Sequence, residues 1–268
     1  MTFGIILQYN NDKETNERCI DDLIDKYNIK IEKYWYEESN GGCWARNLVS
    51  KFYSNEDYSL QIDCHTRMAK DWDEHLINEH KSIGSKNIIS YLSPGFSHDE
   101  DTGLDYSFHN INNRDILNIP TITEITSEYW PKFQGYTNEI STNYNNREVS
   151  ILYCGFIFGE GKWIIDIKND PEHYYTGEEF MLSLRAYTKG YNIYQPTKAY
   201  SWHRNNPKHI HHHGVFEDHD KRHKHAMVRL KKLIEGEDLG EYGLGNVRTI
   251  EEYEKFAKIN LKEKRVYT

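Results

Sequence analysis

Over the first 92 positions the apolar residues switch between two periods. Residues 3–8 (FGIILQ) are a short apolar run closed by Asn-Asn-Asp, a length that suits a buried strand. Residues 16–27 set Cys19, Ile20, Leu23, Ile24 and Tyr27 at helical spacing, and residues 29–35 (IKIEKYW) then alternate as a half-buried strand. Gly41 and Gly42 interrupt the pattern before a second helical face of Trp44, Leu48, Val49 and Phe52. Residues 58–63 (YSLQID) predict a strand ending on a carboxylate. A helix is expected from Trp72 to about Lys81 with Asp71 as N-cap, and residues 87–92 (NIISYL) read as a strand. This order predicts an α/β fold with a mostly parallel sheet and right-handed crossovers, which gathers ligands at the carboxyl ends of its strands.

Residues 93–148, rich in Asn, Asp, Ser and Thr with weak periodicity, read as loops and short strands within the same domain. Residues 149–158 and 162–167 predict a hairpin turning at residues 159–161. Phe180, Met181, Leu184 and Tyr187 mark a helix over residues 178–189 that Gly190 ends. Strands are expected at residues 191–194 and 199–202, and helices at residues 217–235 and 249–261. The expected organisation is a catalytic domain over residues 1–215 with a helical extension, residues 216–268, packed on it.

Composition narrows the class. Of 268 residues 37% are hydrophobic and 14% aromatic, a ring content that excludes a disordered chain. A net charge of −9 removes the overall basic field that would gather nucleic acid. No apolar stretch approaches the ~20 residues of a membrane helix, and no signal peptide is recognisable, so a soluble cytoplasmic chain without membrane contact is expected. Cys19, Cys43, Cys64 and Cys154 are too dispersed for a disulfide framework and read as buried thiols of a reducing compartment.

Asp63-Cys64-His65 is the sharpest chemical signal. Side chains at i and i+2 leave extended backbone on one side, so a carboxylate and an imidazole can share a divalent ion there, although such a pair also occurs in ordinary turns. Its context is more specific. GGCWARN (41–47), EDYSLQIDCHTRM (56–68), DWDEHL (71–76), DPEHYYTGEEFMLSLRAYTKGYNIYQPT (170–197) and YSWHR (200–204) resemble glycosyltransferase family 60, whose eukaryotic members add GlcNAc to hydroxyproline or Thr of polypeptides.

The resemblance implies a GT-A fold, a Rossmann-type central mixed sheet flanked by helices. It also implies a UDP-sugar donor, most simply UDP-GlcNAc, a divalent metal such as Mn²⁺ or Mg²⁺, retention of anomeric configuration and a hydroxyl-bearing acceptor on protein, glycan or another molecule. Asp63 and His65 occupy the DxD-like metal motif, His203 the position of a third ligand, and Glu178 and Glu179 the GEE motif, as catalytic candidates. Asp63 also falls on the donor side, where Arg46 and Arg67 can contact the diphosphate or serve as surface ion pairs. Family members carry an earlier first strand, whereas here the strand FGIILQ begins at Phe3, so the sheet is expected to lack it. Rival readings are a GT-A transferase for another sugar, with a glycan or modified-nucleobase acceptor, and a degenerate module that binds sugar nucleotides without catalysis.

Three further features have plainer readings. Trp72 reads as core, and Asp170 before Pro171 as a turn cap or an acceptor-side group. The His-rich stretch at residues 203–213, with His219, His223 and His225, holds eight of the 14 His; with the basic run at residues 221–232 it reads as solvated surface, or as a second metal site and an anion contact.

Overall fold

The computed structural model describes residues 1–9, 20–98, 105–106, 116–139, 146–204 and 218–267. The chain opens with β1 (Phe3–Tyr9), a helical turn α1 (Asp21–Ile24) and β2 (Ile29–Trp35), which pairs with β1 in parallel from Phe3↔Ile29 to Tyr9↔Trp35. Next come α2 (Gly42–Ser50), β3 (Tyr58–Ile62), β4 (Thr66–Met68), α3 (Trp72–Ile83), β5 (Asn87–Ser90), β6 (Gly95–His98) and β7 (Asp105–Tyr106). A hairpin follows, β8 (Ile116–Ile125) and β9 (Pro131–Glu139), then β10 (Phe156–Glu160), α4 (Trp163–Asp166) and α5 (Glu178–Thr188). The chain continues through β11 (Asn192–Tyr194), β12 (Ser201–Arg204), α6 (His219–Ile234), α7 (Ile250–Ala257), β13 (Ile259–Asn260) and β14 (Arg265–Val266).

The central sheet runs β11-β5-β10-β3. It is mixed: β11 is parallel to β5, while β10 lies antiparallel to both β5 and β3. Alternation along these strands builds a core on each face. Ile157 of β10 and Ile88 of β5 meet Leu182 and Ala186 of α5, whereas Phe156, Phe158 and Ile89 meet Leu76 of α3. Phe156 is 0% exposed, so its truncation to Ala would cost ~3–5 kcal/mol. The other face of α5 packs Phe180, Met181 and Leu184 against Ala226, Met227 and Leu230 of α6 and Tyr253 of α7. Helix α7 starts in a capping box, Thr249 Oγ1 accepting from the Glu252 N–H and Glu252 Oε2 from the Thr249 N–H.

Several expectations are corrected. Residues 162–167 form no hairpin strand, because β10 is already paired on both edges; Trp163 and Ile167, four apart and both buried, close a helical turn instead. Residues 93–148 hold, besides the short strands β6 and β7, a long hairpin that was not expected, and a bulge between Ile122 and Glu124 breaks the alternation that would have announced it. Asp71 does not cap α3 with its side chain: it sits in the left-handed region at φ 54, with no side-chain bond to the first turn. Of the helix expected over residues 16–27, α1 is the described part, and residues 16–19 lie outside the described residues. Gly190 ends α5 as expected, with a φ of 88 that favours glycine. No described helix is long and apolar enough to cross a membrane.

Candidate active site

Strand pairing assembles the first group. Asp63 follows the carboxyl end of β3, and the chain turns through Cys64 and His65 into β4. β12 then runs antiparallel to β4, setting His203 opposite Thr66, and the Arg204 N–H donates to the His65 carbonyl at 2.9 Å. The His65 and His203 rings stand 4.2 Å apart, and His203 Nε2 lies 3.4 Å from Asp63 Oδ2. One ligand atom from each of Asp63, His65 and His203 falls within 4.8 Å of the others. One carboxylate oxygen and two imidazole nitrogens suit a divalent first-row metal such as Mn²⁺ better than Mg²⁺, and three protein donors leave coordination positions open.

A second group abuts the first through Arg46 on α2. Its Nη2 donates to Asp63 Oδ1 at 3.0 Å and its Nη1 to Glu178 Oε2 at 2.6 Å. The Cys43 thiol donates to the same Glu178 oxygen at 3.0 Å. Burial pushes the Asp63 carboxyl upward, but the His203 hydrogen bond and the Arg46 charge outweigh it and hold the group at about 2. Burial alone would make Arg46 easier to deprotonate; Glu178, helped by Asp63, more than reverses this. Among the described residues no cation forms an ion pair with Glu179, and burial followed by repulsion from Glu178 outweighs the more distant Arg46 charge and pushes it up to about 8. A half-buried carboxyl group that favours its protonated form thus stands beside the Asp63–Arg46–Glu178 network.

A search of curated proteins found no match. The model of the Glycosyltransferase (GlcNAc) family matches residues 7–263. The chain belongs to this glycosyltransferase family. Among solved structures, GalNAc-T7 with UDP, GalNAc and Mn²⁺ superposes on the glycosyltransferase with a TM-score of 0.61 over 97% of this chain, at 14% identity. That similarity establishes the fold as GT-A-like. The glycosyltransferase spans about half of that protein, 49% of its length.

The glycosyltransferase thus brings Asp63, His65, His203, Arg46 and Glu178 together, with Glu179 adjacent. Arg67 is placed by another contact: its guanidinium lies 5.5 Å from the Phe96 ring centroid. Trp72 packs against the core on the α3 side, as expected. Asp170 serves as a turn cap and ion pair, accepting from the Glu172 N–H and lying 2.7 Å from Arg229 Nη2. Of the His-rich stretch, residues 205–213 lie outside the described residues, whereas His223 and His225 lie within ion-pair distance of Glu128 and Glu172. Among the described residues these His join no metal-capable cluster, so the second metal site is not supported there.

Sequence reading passed over several neighbours of the site. A side chain at Gly155 would stand 2.5 Å from Tyr153 Cε1 and 2.8 Å from Asp63 Oδ2, so only glycine lets the backbone pass so close to Asp63. The Tyr153 hydroxyl is pushed well up by burial and by Asp63, and that of Tyr175 to about 12 by burial and the two glutamates. Cys154, with ligand-atom spacing to Glu178 and Glu179 like that of the metal group, is likewise pushed up by burial and Glu178. No local pattern marks these residues; they arrive through the turn before β10 and the loop before α5.

Proposed function

We propose that this glycosyltransferase is a metal-dependent, retaining enzyme that transfers GlcNAc, or a related sugar, from a UDP-sugar to a hydroxyl acceptor. The convergence of Asp63, His65 and His203 at the end of β3 carries the reading, since residues 140 positions apart supply one set of a carboxylate and two imidazoles. In this reading the motif order resembling family 60 favours GlcNAc and a polypeptide hydroxyl. GalNAc-T7, crystallised with UDP, GalNAc and Mn²⁺, supports a nucleotide-sugar donor and the choice of metal.

Asp63, His65 and His203 would hold the cation, which supplies Lewis-acid stabilisation of the departing diphosphate. Arg46 keeps Asp63 ionised and aimed, and its charge stands on the donor side of the group. Arg67, on the adjoining strand β4, is the second donor-side cation. Glu178 is a buried anchor for Arg46 and Cys43. Glu179, held neutral, can donate a hydrogen bond to a sugar or acceptor hydroxyl and accept another through its carbonyl oxygen. A positioned acceptor hydroxyl is what the transfer requires, because proximity alone lowers the barrier by several kcal/mol.

The test is UDP release from a panel of UDP-sugars with Mn²⁺ and peptide or glycan hydroxyl acceptors, with anomeric configuration read by NMR. Turnover should need the metal, favour UDP-GlcNAc and vanish in His203→Ala. Full activity in chelator, or in His203→Ala, would overturn the metal reading.

A further inference from the structure

Helix α6 begins about 180 residues after the loop that leads into α2, yet Arg222 on α6 reaches that loop. Arg222 Nη1 donates to the Ser39 carbonyl at 2.7 Å and to Asn40 Oδ1 at 3.4 Å. Its Nε donates to both oxygens of Asp218 at 2.8 Å, and its guanidinium lies 5.5 Å from the Tyr174 ring centroid. Ser39 is 5% exposed, so its carbonyl needs a protein partner.

The segment thus held has little slack. The Ser39 hydroxyl accepts from the Gly41 N–H at 3.2 Å. Gly41 adopts φ 95, and a Cβ there would collide with the Tyr174 carbonyl. A Cβ on Gly42 would lie 3.2 Å from Arg46 Nη1 and 3.9 Å from Glu178 Oε2. Tyr174 in turn lies four residues before Glu178. One guanidinium therefore touches both segments that lead to the Arg46–Glu178 pair, binding the Ser39 carbonyl and lying over the Tyr174 ring.

We propose that Arg222 is a positioning residue of the sugar-transfer site, clamping residues 39–42 against Tyr174 and thereby fixing Arg46 between Asp63 and Glu178. Its effect on turnover rests on the function proposed above, whereas the clamp itself can be read without turnover. Cys43, 2% exposed and next in sequence to the clamped glycines, reports the loop; Cys154, 1% exposed and outside the loop but bordering Glu178, separates loosening of the loop from opening of the whole site.

The experiment compares the full chain with Arg222→Ala and Arg222→Lys. Thiol alkylation by N-ethylmaleimide is mapped by peptide mass spectrometry, and UDP release is measured with UDP-GlcNAc and Mn²⁺. Arg222→Ala should speed Cys43 labelling by about tenfold, the scale of one lost hydrogen bond to a buried carbonyl, while Cys154 keeps the wild-type rate. The same variant should lower kcat about five- to tenfold with the KM for UDP-GlcNAc within about twofold, since alignment and not donor contact is lost. Arg222→Lys, able to keep one bond to Ser39, should recover most of both effects. Unchanged Cys43 labelling in Arg222→Ala, or equal acceleration of both thiols, would overturn the clamp. Selective Cys43 labelling in Arg222→Ala, with a wild-type chain that releases no UDP from any sugar, would uphold the clamp and overturn the transferase reading instead.

Discussion

Replacing Arg46 by Met tests the electrostatic heart of the site without requiring an assay of transfer. Methionine keeps much of the aliphatic volume but removes the cation that stands 2.6 Å from Glu178 and 3.0 Å from Asp63. The two halves of this loss are unequal. The Glu178 side chain is 4% exposed and would be left buried with the Cys43 thiol as its remaining described side-chain donor, a situation that costs ~3–5 kcal/mol. The Asp63 side chain is 22% exposed, so solvent screens that half, and it adds about 1 kcal/mol or less. A total near 3–5 kcal/mol corresponds to a fall in Tm of roughly 6–20 °C for a chain of this size. Urea denaturation at neutral pH in chelator measures it in the metal-free protein. The double variant Arg46→Met/Glu178→Gln should recover much of the loss, because the neutral amide no longer needs a cation. Arg46→Lys should recover less, since one ammonium cannot replace both forks of a guanidinium. If the two single substitutions add within ~0.5 kcal/mol, the pair carries no coupling and the argument fails.

Three further outcomes are expected. Gly155→Ala should lower transfer by at least about tenfold while leaving circular dichroism near wild type, because the new Cβ displaces Asp63 or Tyr153 rather than core residues; wild-type turnover would contradict the close approach. Asp63→Ala and His65→Ala should each weaken Mn²⁺ binding, followed by titration calorimetry, by more than about tenfold, and an unchanged Kd would remove that residue from the metal set. Glu179 keeps a proton in the fold up to about 8, whereas the unfolded chain loses it near ~4.3. Its stabilising share, present below ~4.3, is therefore lost as pH rises through that window, by at most ~1.4 kcal/mol per pH unit, in the metal-free protein. Glu179→Gln should flatten this slope, and an identical pH profile would show that Glu179 is ionised throughout.

The parts of the fold that were legible in the sequence are those whose signal is local. FGIILQ, IKIEKYW and YSLQID became β1, β2 and β3 because a single strand carries its own period, and Phe180, Met181 and Leu184 marked α5 in the same way. Asp63 and His65 could be paired because i and i+2 at a strand end suffice to suggest it. His203 could not be placed by spacing; only the family resemblance brought it in, and the β4–β12 ladder is what carries it to His65. Two of the misses share one cause, tertiary pairing invisible to a local window. WIID looks like a strand until β10 is seen to have both edges occupied, and Gly155 is an ordinary glycine until Asp63 arrives beside it.

The charge arrangement then explains why Glu179 is pushed toward its protonated form. Asp63 and Glu178 share one guanidinium, so two carboxylates against a single cation already leave one net negative charge in a confined volume. A third ionised carboxylate would meet that excess at low dielectric, and Glu179 escapes it by holding its proton. With a divalent ion on Asp63, His65 and His203 the balance would turn net positive, the sign that favours a diphosphate. The same ion would also lower the cost of ionising Glu179. The proton on Glu179 is therefore linked to occupancy of the metal set, and metal binding should release a fraction of a proton at neutral pH. Mn²⁺ calorimetry in two buffers of different ionisation heat reads that proton directly. It should disappear in Glu179→Gln, and its persistence there would assign the proton to the ligating imidazoles instead.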